Sequence, residues 1–144
     1  MLGLGVEAAR VPSGRPVLLV DSSPAFRAAV HRQLRHSRHF HVVGEASTAS
    51  DATLLAARLR PALILLDVEL PDASGVETAL WIRRLQPPPD VLLCSARRRT
   101  DVQREIDASG LPCIAKAEFS EAALLNSMVY PDEPESDRSS NARR

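Results

Sequence analysis

The sequence predicts one α/β domain, a five-stranded parallel sheet with helices on both faces, on the strength of three observations. Short, mostly apolar runs recur at 17–21, 42–46, 63–67, 91–95 and 113–115, the texture of strands buried on both sides. Segments with apolar residues at helical spacing lie between and after them. The two kinds of segment alternate strictly, and right-handed crossover helices joining parallel strands must cover both faces of the sheet.

Taken in order, "VLLVD" at 17–21 opens the sheet, and Pro24 suits the first turn of a helix whose apolar stripe is Phe26, Val30 and Leu34. After strand 42–46, Asp51 precedes a stretch with Leu54, Leu55 and Leu59 that Pro61 stops. "LILLD" at 63–67 is the third strand, and Val76, Leu80 and Leu85 mark a third helix ending before the prolines at 87–89. "VLLCS" at 91–95 precedes a fourth helix capped by Thr100 and containing Val102 and Ile106. After strand 113–115, Ser120 caps a fifth helix through Ala123, Leu124 and Met128, with Glu121 in its first turn.

A chain of 144 residues suffices for one core. Its 18 basic and 18 acidic residues cancel, so no net field draws it to nucleic acid or an anionic membrane, and neither is an expected partner. Cys94 and Cys113 lie in apolar segments, where a reduced thiol acts as a small hydrophobe; a disulfide is the less favoured alternative. No apolar run approaches the ~20 residues of a membrane span, and no signal-peptide pattern opens the chain, so the expected location is cytoplasmic. Residues 1–16 and the polar 131–144 are expected to be mobile flanks of a domain at 17–130. Gly3 and Gly5 are not a nucleotide fingerprint, for no strand precedes them.

Three of the apolar runs end in a polar residue: Asp21, Asp67 and Ser95. In an open parallel sheet, ligands bind at the carboxyl ends of the strands, near the point where strand order reverses. The three side chains are therefore expected to converge on one rim.

With these positions fixed, the chain resembles a response-regulator receiver domain, the phosphoacceptor module of two-component signalling, over about 17–130. The segment "LILLDVELPDASGVE" carries most of the resemblance, through Asp67, Leu70, Pro71 and Gly75. "VLLVDSSPAFR" is similar to the family's first strand and helix start, Ser95-Ala96 to the hydroxyl-plus-small pair after the fourth strand, and Lys116 to the lysine ending the fifth. The resemblance implies a flavodoxin-like, doubly wound fold. It implies Asp67 as phosphoacceptor, Lys116 as the contact to the phosphoryl group, and Ser95 as a switch hydroxyl with Ala96 leaving room for its movement. Magnesium would be held by Asp21, Asp67 and the backbone carbonyl of Glu69. A carboxylate can act as such a nucleophile, and charge on the transferred group needs cationic compensation.

The pattern breaks in three places. Ser22 stands where the family has a second acidic residue, the direct metal ligand, so Ser22 is a weak or lost ligand and magnesium binding is expected to be weaker, with Glu69 the candidate to compensate. Cys113 occupies the position of the aromatic switch, three residues before Lys116, and a thiol cannot swing a ring between rotamers. Ala117 stands where many relatives have a cis proline, a departure other relatives share. Arg97, Arg98 and Arg99 beside the site read first as a solvated loop, and second as an attractor for an anionic phosphodonor. His31, His36, His39 and His41 read as surface residues rather than metal ligands, since their spacing need not make them converge. Trp81 reads as packing or partner surface.

The leading expectation is a stand-alone receiver, not an enzyme beyond its own phosphorylation and dephosphorylation. It would take a phosphoryl group from a sensor histidine kinase or phosphotransfer protein and act on a separate output protein. A homodimer through the face of the fourth and fifth helices is a further conceivable partner, although no sequence feature argues for it. The alternative is a degenerate receiver, a phosphorylation-independent interaction module, favoured by Ser22 and Cys113. A third class, the aspartate-nucleophile phosphohydrolases, requires a second Asp two residues after the nucleophile, and Glu69 stands there.

Overall fold

A computed structural model of the chain describes residues 14–96 and 100–128. The expectations for 1–13, for Arg97 to Arg99, for the side chain of Thr100 and for 129–144 lie outside the described residues. The elements are β1 (Arg15–Val20), α1 (Pro24–Leu34), β2 (Phe40–Ala46), α2 (Ala49–Leu59), β3 (Leu63–Asp67), α3 (Gly75–Ile82), β4 (Asp90–Ser95), α4 (Thr100–Ser109), β5 (Cys113–Ala115), a 3-10 turn (Lys116–Glu118) and α5 (Glu121–Met128). All strands are parallel, in the order β2-β1-β3-β4-β5. The doubly wound α/β reading therefore holds, and the chain order reverses between β1 and β3.

Alternation along the strands sorts the core into two layers. Leu18, Val20, Ile64, Leu66, Val91 and Leu93 pack with residues of α2, α3 and α4. Val17, Leu19, Leu63, Leu65, Leu92 and Cys94 pack with Val30 and Leu34 of α1 and Leu124 of α5. The two cysteines fall on opposite sides, Cys94 in the second layer and Cys113 against the first, and both are free thiols.

Helix starts follow side-chain caps. Ser23 Oγ accepts from the Phe26 N–H, Thr48 Oγ1 from Asp51, Ser74 Oγ from Glu77, and Ser120 Oγ from Ala123. Several expectations need correction. β1 begins at Arg15, paired with Phe40, and ends at Val20, so Asp21 lies just beyond the strand. Asp51 is inside α2, because Thr48 captures the cap. Leu54 and Leu80 face solvent, at 58% and 45% exposure, rather than the core. α2 instead rests on the sheet through Ala52 and Ala56, whose small side chains allow a close approach, with Leu55 packed beside them. α3 ends at Ile82, which leaves Leu85 beyond the helix but still partly buried against the core. Arg60, at φ 48°, closes α2 immediately before Pro61, with its N–H on the Ala56 carbonyl.

Gly75 sets how closely α3 approaches the end of β3. A Cβ there would stand 2.0 Å from the Asp67 carbonyl oxygen and 2.7 Å from the Val68 Cα, while the Gly75 N–H donates to the Val68 carbonyl at 2.8 Å. Backbone cannot yield as a flexible side chain can. Gly75→Ala is therefore expected to cost about 3 kcal/mol in urea denaturation, and a loss within about 0.5 kcal/mol, the scatter of neutral surface changes, would show that the approach is not constrained by Gly75.

Candidate functional site

The strand ends bring three charged side chains together. Asp21 follows β1, Asp67 ends β3 and Lys116 follows β5, and the two carboxylates are 1% and 4% exposed. Lys116 Nζ donates to Asp67 Oδ2 at 3.0 Å and stands 2.7 Å from Asp21 Oδ2. The second contact is an ion pair rather than a well-directed hydrogen bond, for Asp21 Oδ2 receives no hydrogen bond of its own. The remaining oxygens meet backbone donors: Asp21 Oδ1 accepts from the Ser23 N–H at 2.8 Å and Asp67 Oδ1 from the Glu69 N–H at 3.0 Å.

The proton affinities reflect this enclosure. Burial pushes the Asp67 carboxyl above its ordinary value; the Glu69 N–H and Lys116 pull the other way without cancelling it, and the Asp21 charge adds to the rise. Burial alone would pull the Lys116 ammonium down, but the bonds and charges of Asp21 and Asp67 outweigh it, so its pKa is raised.

The other expected site residues lie around this triad. Ser95 ends β4, one residue beyond Cys94, whose register partner is Asp67, and is half-buried. Glu69 and Ser22 are exposed on the rim. Cys113, at the start of β5, is partly buried against the α2–α4 layer. The histidines do not gather: His31 pairs with Glu45 at 3.3 Å, and among the described residues no three His, Cys, Asp or Glu side chains cluster as a metal site. Trp81 is 57% exposed on α3, so it is surface rather than packing.

Sequence reasoning missed the anchors of the rim. Arg27 donates from Nη1 to the Asp21 backbone carbonyl at 2.6 Å and pairs through Nε with Glu45 at 3.3 Å, fixing the turn after β1 to β2. Asp72 accepts from the N–H groups of Ala49 and Ser50 at 2.7 and 3.0 Å, a second cap on α2 that holds its carboxyl below the ordinary range. Ser74 Oγ donates to Glu105 Oε1 at 2.9 Å, tying the loop after β3 to α4. The turn residues of "LPDASG" were the only local signal for the last two.

The residues present suit a hard, oxygen-seeking cation. Two buried carboxylates face one point, the position the Lys116 ammonium takes between Asp21 Oδ2 and Asp67 Oδ2.

The fold is thus a parallel α/β domain with an aspartate-aspartate-lysine cluster at its strand ends. The family model for the response regulator receiver domain matches residues 17–128, and the chain belongs to that family. Curated relatives include a protein-glutamate methylesterase/protein-glutamine glutaminase of Agrobacterium fabrum, 35% identical over 58% of this chain and 24% of its own length. A protein of the same description from Myxococcus xanthus is 30% identical over 89% of this chain and 34% of its own. The chain thus spans about a quarter to a third of the length of these two relatives. Among solved structures, the signal receiver domain of NarL from Mycobacterium tuberculosis superposes with a TM-score of 0.71 at 28% identity, covering 83% of this chain and all of that one. The response regulator domain of Thermotoga maritima CheB, at 24% identity and a TM-score of 0.64 over 79% of this chain and 88% of its own, shares the fold. Receiver domains work with histidine kinases or phosphotransfer proteins and with output domains, and generally bind magnesium at their acidic pocket. Among the described residues no helix is long and apolar enough to cross a membrane.

The raised pKa of Asp67 has a thermodynamic consequence. Its folded-state value lies above the unfolded one, so the stability this group contributes is complete below 3.8 and is lost as pH rises through the folded value. In EDTA, Asp67→Asn is expected to melt above the wild type at pH 7, and the advantage is expected to shrink as pH falls toward 3.8. A melting temperature at or below that of the wild type at pH 7 contradicts this sign.

Proposed function

We propose that this receiver accepts a phosphoryl group on Asp67 from a histidine kinase or phosphotransfer protein and signals by changing its affinity for a protein partner. The observation that carries the reading is the Asp67 carboxylate at the end of β3, 4% exposed, with the only lysine of the sequence 3.0 Å away and Asp21 on the same ammonium. In the transfer an Asp67 oxygen bonds to phosphorus, the phosphorus–nitrogen bond of the phosphohistidine breaks, and its electron pair stays on the imidazole nitrogen.

Each residue has a part in this reading. The backbone N–H of Glu69 orients the Asp67 carboxylate. Lys116 supplies a point charge to the phosphoryl oxygens, and Ser95 donates to one of them once the acyl phosphate forms. Asp21, Asp67 and the Glu69 carbonyl would hold magnesium, with Ser22 a weak ligand; the ion, when bound, neutralises charge on the phosphoryl group.

A second reading rests on the ammonium itself. Lys116 already compensates both carboxylates, and with Ser22 in place of an acid the site attracts a divalent ion less. A phosphorylation-independent interaction module is consistent with that balance.

The test is incubation with acetyl phosphate and magnesium, followed by intact mass. One phosphate-sized adduct, absent in Asp67→Asn, is expected; no adduct at high magnesium overturns the phosphoacceptor reading in favour of the second. Restoring the missing acid with Ser22→Asp is expected to tighten magnesium binding about tenfold or more, read by calorimetry. Glu69→Gln is expected to weaken magnesium binding, and an unchanged affinity removes Glu69 as the compensating carboxylate.

A further inference from the structure

The Lys116 ammonium has a third neighbour. The centroid of the Phe26 ring lies 5.1 Å from Nζ, inside the roughly 6 Å over which a ring quadrupole attracts a cation. Phe26 sits in the first turn of α1, where its N–H donates to Ser23 Oγ at 3.2 Å, and the Ser23 N–H in turn donates to Asp21 Oδ1 at 2.8 Å. Phe119 closes the 3-10 turn, with its N–H on the Lys116 carbonyl at 3.2 Å, and its ring meets that of Phe26 edge-on at 5.7 Å and 77°. The contacts form a closed circuit: Asp21, Ser23, Phe26, Lys116 and back to Asp21, with Phe119 bracing the ring from the lysine's own backbone.

We infer that Phe26 is a positioning residue for Lys116, with Phe119 fixing its ring; the inference rests on the reading of Asp67 as phosphoacceptor. The chemistry favours a ring at this place. An ammonium has three N–H donors, and two directions are taken by Asp21 and Asp67. An aromatic face attracts the charge without a carboxylate's full negative charge, so it holds Lys116 over the acceptor while competing little with a phosphoryl oxygen. A third carboxylate there would compete for the charge Lys116 must give to the phosphoryl group. A leucine would fill much of the volume with no quadrupole. In a site where Cys113 replaces the aromatic expected in β5, Phe26 and Phe119 are the rings that touch the charged cluster and its support.

The test compares Phe26→Leu, Phe26→Tyr and Phe119→Leu. Phe26→Leu is expected to slow labelling of Asp67 by acetyl phosphate about five- to tenfold at fixed magnesium, and Phe119→Leu about two- to threefold. Phe26→Tyr keeps the ring and is expected to label within about twofold of the wild type. Because Lys116 is the only lysine, protein grown with carbon-13 lysine gives one set of lysine NMR signals. Its Hε protons are expected to be displaced upfield by the ring in the wild type and Phe26→Tyr, and at the ordinary lysine position in Phe26→Leu. An unchanged labelling rate in Phe26→Leu, or no recovery in Phe26→Tyr, overturns the inference. If the wild type takes no label, the phosphoacceptor reading fails, and the lysine signals alone decide whether the ring holds the ammonium: displacement lost in Phe26→Leu supports it, and ordinary signals in the wild type overturn it.

Discussion

One ammonium between two buried carboxylates is the interaction on which the rim of this protein depends. Asp21 and Asp67 are both almost wholly removed from water, and two such charges repel one another and lose their hydration. Lys116 offsets both terms at once from the end of β5. It is a compromise rather than a full neutralisation: burial, with the Asp21 charge, leaves the Asp67 carboxyl above its ordinary value despite the Glu69 N–H and Lys116. A carboxylate destabilised in its ionised state stands to gain from any cation that compensates the charge.

Around that point the backbone is fixed from several directions. Gly75 lets α3 press against the Asp67 carbonyl at a distance no other residue allows. Asp72 fastens the following loop to the start of α2, and Ser74 fastens it to Glu105 on α4. Arg27 holds the turn carrying Asp21 against Glu45 on β2. The loop after β3 is therefore bonded to both neighbouring helices. This gives the proposed phosphoacceptor a bonded route to α4 through Ser74 and Glu105, on a surface where Cys113 supplies no ring to swing.

Much of this was legible in the sequence because the relevant signals are local. Buried strands write themselves as runs such as Leu63 to Leu66, and the polar residue after the run marks the rim. The pattern misled where packing distance decided the outcome. Leu54 and Leu80 lie at helical spacing but face solvent, since α2 meets the sheet on Ala52 and Ala56 and α3 turns Val76, Ala79 and Ile82 inward. The anchors were illegible for a different reason. Asp72 bonds Ala49 across 23 residues and Ser74 bonds Glu105 across 31, and each partner alone is an ordinary polar residue.

The sequence by itself determined the alternation of strands and helices, the positions of Asp21, Asp67 and Lys116 at strand ends, and the loss of one acid at Ser22. The alternation and the two strand-end aspartates follow from periodicity and residue type, whereas Lys116 and the missing acid at Ser22 are what the resemblance to the receiver family singles out. The tertiary structure decided that one ammonium serves both carboxylates, across 49 residues in the case of Asp67, and that Phe26 lies beside it rather than only in the core. It also put the two cysteines on opposite faces of the sheet. Such facts depend on strand order and on the side of the sheet each helix takes, and both are settled by packing the whole chain at once.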